Sequence, residues 1–383
     1  MMKRRTALFG AGLAALPPLA WPLSAQAVVN DRTPIRLGQS APISGPLARV
    51  GTAFRDTALA VFGEVNAQGG INGREIELIT LDDEDHSERT AVNVKLLASE
   101  HHVVALFGFV GAGAHRAGAR GAVEEGLPYI APVSGSQELR SGTLPWVYNL
   151  RAGHVDEIEY IARHTANVGI QRVSLVSEYN SQGWELRDAL MDAFEKKGTH
   201  VASISSVDHE GSRYSLPGAV SSVLAQDPQA IVLGSDYVAS GRFVGAVRQA
   251  GFTGLFYTLS TVGGGPLMEQ LGPLAAGISV TQVVPFPWTS SVHVGRSFQA
   301  FCTRRKIEPS FASMEAWLAA TLMVDALRRA REITPARLAE ALDTLPPRDF
   351  GGFVAAFYSN VKSRRTPAQV DLTVFSRSGK FVK

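Results

Sequence analysis

From Ile35 onward the chain alternates short apolar runs with longer stretches whose apolar residues recur at helical spacing. Ile35 to Ser40 reads as a first strand, and Gly45-Pro46 as a turn. Val50 to Asn66 reads as a helix, with Ala53, Ala58, Ala60, Val61 and Val65 on its apolar side. The cluster Gly69-Gly70-Ile71-Asn72-Gly73 stops it. A strand at Ile76 to Leu81, a helix at Ala91 to Glu100, a strand at Val103 to Phe107, a helix at Ala114 to Glu125 and a strand at Tyr129 to Ala131 follow. This strand–helix alternation predicts a parallel, doubly wound sheet. After Tyr148 to Arg151 the order restarts: helix His154–Val168, strand Arg172–Val176, helix Trp184–Lys197, strand Val201–Val207, helix Ser215–Ala225, strand Ile231–Leu233, helix Gly241–Ala250 and strand Leu255–Tyr257. Two α/β units of similar size therefore stand in tandem. Beyond them come a strand at Ile278 to Val284, a long amphipathic helix at Ser313 to Arg331, a helix at Ala336 to Leu345 opened by Thr334-Pro335, and a terminal hairpin at Phe375 to Phe381.

The first 27 residues break this pattern. Lys3, Arg4 and Arg5 precede an apolar run from Ala7 to Leu23 that holds Pro17, Pro18 and Pro22, and Ala25-Gln26-Ala27 is an A-x-A cleavage site. That order reads as an export signal cleaved near Ala27, and the prolines argue against a membrane span. Arg4-Arg5 leaves the twin-arginine and the general secretory routes both open. The label changes the meaning of the charge count. The whole chain has 37 Lys plus Arg against 35 Asp plus Glu, +2 net. Removing the three basic residues of the label leaves 34 against 35, so the mature chain is near −1. No basic surplus points to nucleic acid. A hydrophobic share of 45% suits a folded chain of two or three domains, and one cysteine, Cys302, excludes an internal disulfide. The reading is an exported, periplasmic protein, expected to be a monomer and to carry no cofactor.

Catalytic and metal motifs do not assemble. Asp82-Asp83-Glu84-Asp85-His86 lacks the spacing and glycine of a calcium loop. His101-His102 are adjacent, and no H-E-x-x-H pair or G-x-S-x-G elbow occurs. Gly111-Ala112-Gly113 would need a third glycine at Arg116 to read as a dinucleotide turn. No metal site and no enzyme are expected. In an open α/β sheet, however, ligands sit beyond the carboxyl ends of strands. Gly108 to Gly113 follows a strand and opens a helix, so its bare amides make an anion seat at Gly111, Ala112 and Gly113.

Several segments together carry a resemblance. Gly38 to Gly51 (GQSAPISGPLARVG), Glu64 to Gly73 (EVNAQGGING), Asp82-Asp83 after a strand, Gly126 to Pro132 (GLPYIAP), Ser136 to Arg140, Pro309 to Glu315 and Gly351-Gly352-Phe353 resemble the periplasmic branched-chain amino-acid-binding proteins of ABC importers, over about Ile35 to Lys380. The resemblance implies the type I periplasmic binding fold: two doubly wound, Rossmann-like lobes joined by three hinge crossovers, with the ligand between them. It implies an N-terminal lobe of 28–151 plus 283–347 and a C-terminal lobe of 152–282 plus 348–383.

The same resemblance directs attention to particular loops. Val133-Ser134-Gly135-Ser136 stands where the family offers backbone and hydroxyl contacts, with Ser134 the principal candidate and Ser136 also able to cap the next turn. Gln182 falls near a family aromatic, and Tyr237, after Ser235-Asp236, matches a family tyrosine that flanks the ligand. Ser260 falls where amino-acid binders carry a glutamate for the ligand ammonium, with Asp236 a substitute counter-ion. Arg49 could meet an anion from the opposite side, since guanidinium suits bidentate carboxylate recognition. A missing glutamate, a glycine seat and Arg49 favour an organic acid over a zwitterion. The expected function is the solute-binding component of an importer, handing a small organic ligand, an amino acid or organic acid, to an inner-membrane ABC permease; the alternative is a ligand-sensing receptor of the same fold feeding a membrane signalling partner.

Overall fold

The computed structural model describes residues 32–111, 114–207, 215–358 and 369–383. The export label, Ala112 and Gly113 lie outside them. The first half of the chain runs β1 (Ile35–Ala41), α1 (Ala48–Asn66), β2 (Ile76–Asp82), α2 (Ser87–Ser99), β3 (Ala105–Phe107), α3 (Ala114–Glu124), β4 (Tyr129–Ile130) and β5 (Val147–Tyr148). These strands form one parallel sheet in the order β2-β1-β3-β4-β5. Alternate side chains of β3 go to opposite faces. Ala105 and Phe107 enter the core under α1, and Leu106 enters a separate cluster with Val94 and Leu97 of α2 and Ala119 of α3. A sheet covered on both faces explains why β3 reads as a continuous apolar run rather than an alternation.

The second half repeats the plan with α4 (His154–Asn167), β6 (Arg172–Ser177), α5 (Ser181–Glu195), β7 (His200–Ser206), α6 (Leu216–Leu224), β8 (Ala230–Gly234), α7 (Tyr237–Gln249), β9 (Leu255–Thr258), α8 (Gly264–Leu271) and β10 (Ile278–Gln282). The tail adds α9 (His293–Arg305), α10 (Phe311–Arg329), α11 (Pro335–Asp343), a small hairpin β11 (Arg348–Asp349) and β12 (Val354–Ala355), then β13 (Asp371–Phe375) and β14 (Phe381–Val382). The second sheet runs β14-β13-β10-β9-β8-β6-β7, parallel from β10 to β7 and antiparallel at the β13-β14 edge. Both parallel sheets thus have the doubly wound order 2-1-3-4-5, with a switch point between their first and third strands.

Two cores follow from this. Tyr148 lies in the first and Ile158 in the second; Val280 lies in the second and Val283 in the first; Phe357 lies in the first and Phe375 in the second. Those pairs bracket three crossings of the chain. Residues 350–358 were expected with the second lobe, but Phe350, Ala355 and Phe357 pack in the first core, and Tyr358 pairs with Asn149. α10 packs along α1, burying twelve of its nineteen residues from Ser313 to Leu327.

Two helices differ from the sequence reading. α8 begins on Gly264-Gly265-Pro266, which has turn composition, yet Leu267 and Leu271 bury its inner face. α9 has low apolar content, and Phe298, Phe301 and Cys302 supply its buried stripe. Cys302 is buried, and burial raises its thiol to about 11, so the adjacent Arg304 and Arg305 do not activate it.

Candidate ligand-binding site

The two switch points face one another. Pro42, after β1, and Val110-Gly111, after β3, come from one sheet; Glu178, after β6, and Ser235-Asp236, after β8, come from the other. They enclose a cavity of about 70 Å³, closed further by Leu47 and Val50 of the first loop and helix, Val133-Ser134, and Thr261-Val262. Strand ends and helix starts meet here because the doubly wound order leaves a crevice where neighbouring connections diverge.

Gly111 has φ +115°, and a Cβ on it would stand 2.1 Å from Oδ1 of Asp85. The glycine therefore lets the loop after β3 pass close to the acidic loop after β2. That acidic loop holds itself in place. Asp83, fully buried, accepts from Ser40 Oγ at 2.6 Å and Thr90 Oγ1 at 3.0 Å. Asp82 accepts from the Ile43 amide at 3.0 Å, which leaves Asp85 as the member in the cavity wall.

On the opposite wall Glu178 accepts from the Asp236 amide at 3.2 Å and from Asn180 Nδ2 at 2.7 Å. Asp236 caps α7, accepting from the amides of Val238 at 2.6 Å and Ala239 at 2.9 Å through Oδ1. Tyr237 lies in the wall and donates its hydroxyl to the Pro46 carbonyl across the cleft. Burial, then the charge of Asp236, pushes that phenol up to about 12, so it remains a donor. His115 also lines the cavity; burial, then its neighbours His154, Arg151 and Arg140, draw it down to about 3, so it is a neutral imidazole. Its Nδ1 has no hydrogen-bond partner among the described residues.

Six of the residues expected from sequence thus come together here: Gly111, Ser134, Gln182, Ser235, Asp236 and Tyr237. Arg49 does not join them. It is bound to Glu269 of α8, with a second bond of 2.9 Å from Nη2, on the half-exposed outer edge of the cleft. It clasps the two halves together there. Ser260 also lies outside the cavity wall. Its amide and hydroxyl donate to Glu157 of α4 at 2.8 and 2.9 Å. The fold therefore brings a carboxylate to this place from a distant helix, although the residue itself is serine. Gly135 lies beneath the seat, where a Cβ would fall 2.1 Å from the His154 ring. Ser136 donates to Glu185 of α5 at 2.8 Å.

Glu185 also accepts from the Gln137 amide at 2.7 Å, so it ties α5 to the loop after β4. Burial pushes its carboxyl up, but His154 and these hydrogen bonds outweigh that and leave it below the usual value of 4.5. A lowered carboxyl stabilises above its unfolded value and loses that contribution as pH falls through its folded value. Acid unfolding of wild type should therefore have a component below about pH 4.5 that Glu185→Gln removes. An acid limb unchanged in the variant would count against the tie.

Sequence reasoning passed over Asp85, His115, His154, Glu178 and Thr261. Glu178 stands immediately beyond β6, so the strand-end rule could have found it. The two histidines carry no such positional signal.

Comparison with known proteins agrees with this fold. The family described as periplasmic binding protein matches residues 34–370. A leucine-, isoleucine-, valine-, threonine- and alanine-binding protein of Pseudomonas aeruginosa is 21% identical over 315 residues, 80% of this chain and 82% of that protein. Among solved structures, a possible leucine/isoleucine/valine-binding protein from Rhodopirellula baltica superposes with a TM-score of 0.84 at 24% identity, covering 93% of this chain and 98% of that one. A substrate-binding periplasmic protein from Ralstonia solanacearum gives 0.82 at 28% identity, covering 91% and 99%.

Proposed function

The chain belongs to the periplasmic binding protein family, with the type I fold of its branched-chain amino-acid branch, and from that premise we propose that it is the solute-binding component of an ABC importer for a small amino acid. It would close two lobes over the ligand and present the closed form to an inner-membrane permease. Proteins of this family work outside the cytoplasm, and among the described residues no helix is long and apolar enough to cross a membrane. The lobe boundaries we favour place 32–151 and 283–358 in one lobe and 152–282 and 369–383 in the other. Residues 1–27 we read as the export label.

The observation that carries the ligand class is the sign of the cavity wall. Asp85, Glu178 and Asp236 line it, and no Lys or Arg side chain does among the described residues. A ligand without a positive group would add its own charge to those carboxylates in a closed space, which is costly. An ammonium offsets them. The Gly111 and Ser134 loops offer the carboxylate end of a zwitterion backbone amides and a hydroxyl. The preference for an organic acid rested on the missing glutamate, the glycine seat and Arg49 together. Arg49 is paired with Glu269, and Glu157 reaches Ser260, the place of the missing glutamate. The name of the Pseudomonas aeruginosa relative supports the same class.

A thermal-shift series tests this. Aliphatic amino acids at about 100 times their dissociation constant should add ~2.7 kcal/mol to stability, and the matching deaminated acids should add nothing. A shift with the deaminated acids alone would overturn the ammonium reading. No shift with any member would overturn the solute class.

A further inference from the structure

We propose that Gln182 selects the side chain of the ligand, so that the cavity prefers an amino acid with a short, hydroxyl-bearing side chain, threonine or serine, over its hydrocarbon counterpart. The inference rests on the amino-acid reading above and adds the third group that the site recognises. Gln182 stands in the first turn of α5 and lines the cavity. That turn is pinned against the end of β6. Asn180 caps it, accepting from the Gly183 amide at 2.9 Å through Oδ1 and from the Trp184 amide at 3.0 Å through its carbonyl. A Cβ on Gly183 would stand 1.8 Å from the Glu178 carbonyl oxygen, so glycine is what lets the helix start this close to the strand. Gln182 and Glu178 thereby share one wall.

The other polar side chains that this lobe brings to the wall have partners. Glu178 accepts from the Asp236 amide, Asp236 accepts from Val238, and Tyr237 donates to Pro46. Ser235 and Ser240 share a hydrogen bond of 2.8 Å, and Thr261 Oγ1 lies 3.4 Å from His154 Nε2. Gln182 differs. It is half-buried, and its carboxamide bonds to none of the described residues. Nδ1 of His115 also lacks a partner, but that nitrogen is buried and closed to a ligand. The Gln182 carboxamide offers an acceptor oxygen and two donor hydrogens at an accessible surface. Covering it with a ligand that leaves those groups unpaired carries a desolvation cost.

In the amino-acid reading the ammonium goes to the carboxylates and the carboxylate goes to the Gly111 and Ser134 loops. The side chain is what remains for Gln182. Room restricts it: the cavity of about 70 Å³ is roughly half the ~150 Å³ that admits a benzene ring. From the other lobe Leu47, Val50 and Val133 supply apolar surface that suits a methyl group. A hydroxyl takes the room of a methyl, and it either donates to the carboxamide oxygen or accepts from its nitrogen. Threonine and valine therefore fit equally well by shape, and the bond to Gln182 decides between them. A site that hydrogen-bonds a ligand hydroxyl discriminates against the analogue that lacks it.

Threonine against valine and serine against alanine are the probes, measured by isothermal titration on the chain from residue 28 onward. Threonine should bind wild type about tenfold more tightly than valine, and serine should exceed alanine in the same direction. Gln182→Met keeps the length of the side chain and removes the amide. With its fold checked by circular dichroism, it should bring each pair to within about twofold. The outcomes separate this inference from the reading beneath it. If none of the four binds at millimolar concentration, the amino-acid reading falls and this one falls with it. If valine and alanine bind wild type as tightly as threonine and serine, the choice of side chain alone is overturned. It is equally overturned if Gln182→Met weakens all four alike and leaves the ratios in place, because Gln182 then meets an end of the ligand that every amino acid shares.

Discussion

Arg151→Met should cost about 3–5 kcal/mol of folding stability near neutral pH, the largest loss expected for any single substitution at the lobe junction. The side chain is 2% exposed and faces Glu315, itself 7% exposed, at 3.6 Å. It also donates to Ser260, whose amide and hydroxyl in turn donate to the fully buried Glu157. Two buried carboxylates therefore share this region with Arg151. Methionine fills the volume but leaves Glu315 without its paired cation, with only the charge of Arg140 still favouring its ionised form, and removes the donor that holds Ser260 against Glu157. Burial already pushes the Glu315 carboxyl above its ordinary value, and the Arg151 charge restrains that rise. Removing the cation frees it to rise further. A carboxyl whose folded value is raised destabilises increasingly as pH rises from its unfolded value through its folded one. The deficit of Arg151→Met should thus be smallest in mild acid and largest above neutrality. The double variant Arg151→Met/Glu315→Gln should recover part of the loss, because the buried charge goes with its partner. Urea unfolding of the four proteins across pH closes the cycle. A flat pH dependence, or a double variant no more stable than the single one, would show that Arg151 acts only through packing.

The same junction shows where sequence reading stops. Strand and helix order was legible because both sheets are covered on two faces, and coverage imposes continuous apolar strands and one-sided helices. The strand order leads to the seat at Gly111, and the family resemblance leads to Ser134, Ser235, Asp236 and Tyr237; the structure brings all five to the wall of one cavity. Arg49 and Ser260 could not be judged in that way. Arg49 stands at the start of α1 and Ser260 just beyond β9, both past the carboxyl ends of strands, and what decides the role of each is a partner more than 100 positions away, Glu269 for one and Glu157 for the other. Local pattern carries no information about such pairings. The turn-like composition at the start of α8 misled for a related reason: Leu267 and Leu271 form a helix there because the second core receives them, not because glycine favours one.

Glu178→Gln should lower affinity for an aliphatic amino acid about 100-fold, while leaving the fold intact. Glu178 follows β6 at the second switch point, and its two oxygens accept from the Asp236 amide and Asn180 Nδ2. Glutamine keeps the size of the side chain and one acceptor, so the loop is expected to hold. What it removes is one of three carboxylates facing the cavity. Losing one partner of a desolvated, hydrogen-bonded charge pair costs about 2–5 kcal/mol in binding, and ~2.7 kcal/mol is a factor of about 100. Asp236 is a less clean target, because its Oδ1 also caps α7, so Asp236→Asn would mix affinity with stability. The direction of the effect separates ligand classes. A zwitterion loses affinity in Glu178→Gln; a simple carboxylate gains it, because a repulsive charge has gone. Titration of both ligand types against wild type and Glu178→Gln therefore tests the sign of the cavity. Unchanged affinity for the amino acid would place its ammonium on Asp85 or Asp236 instead, and an increase would remove the ammonium from the proposal.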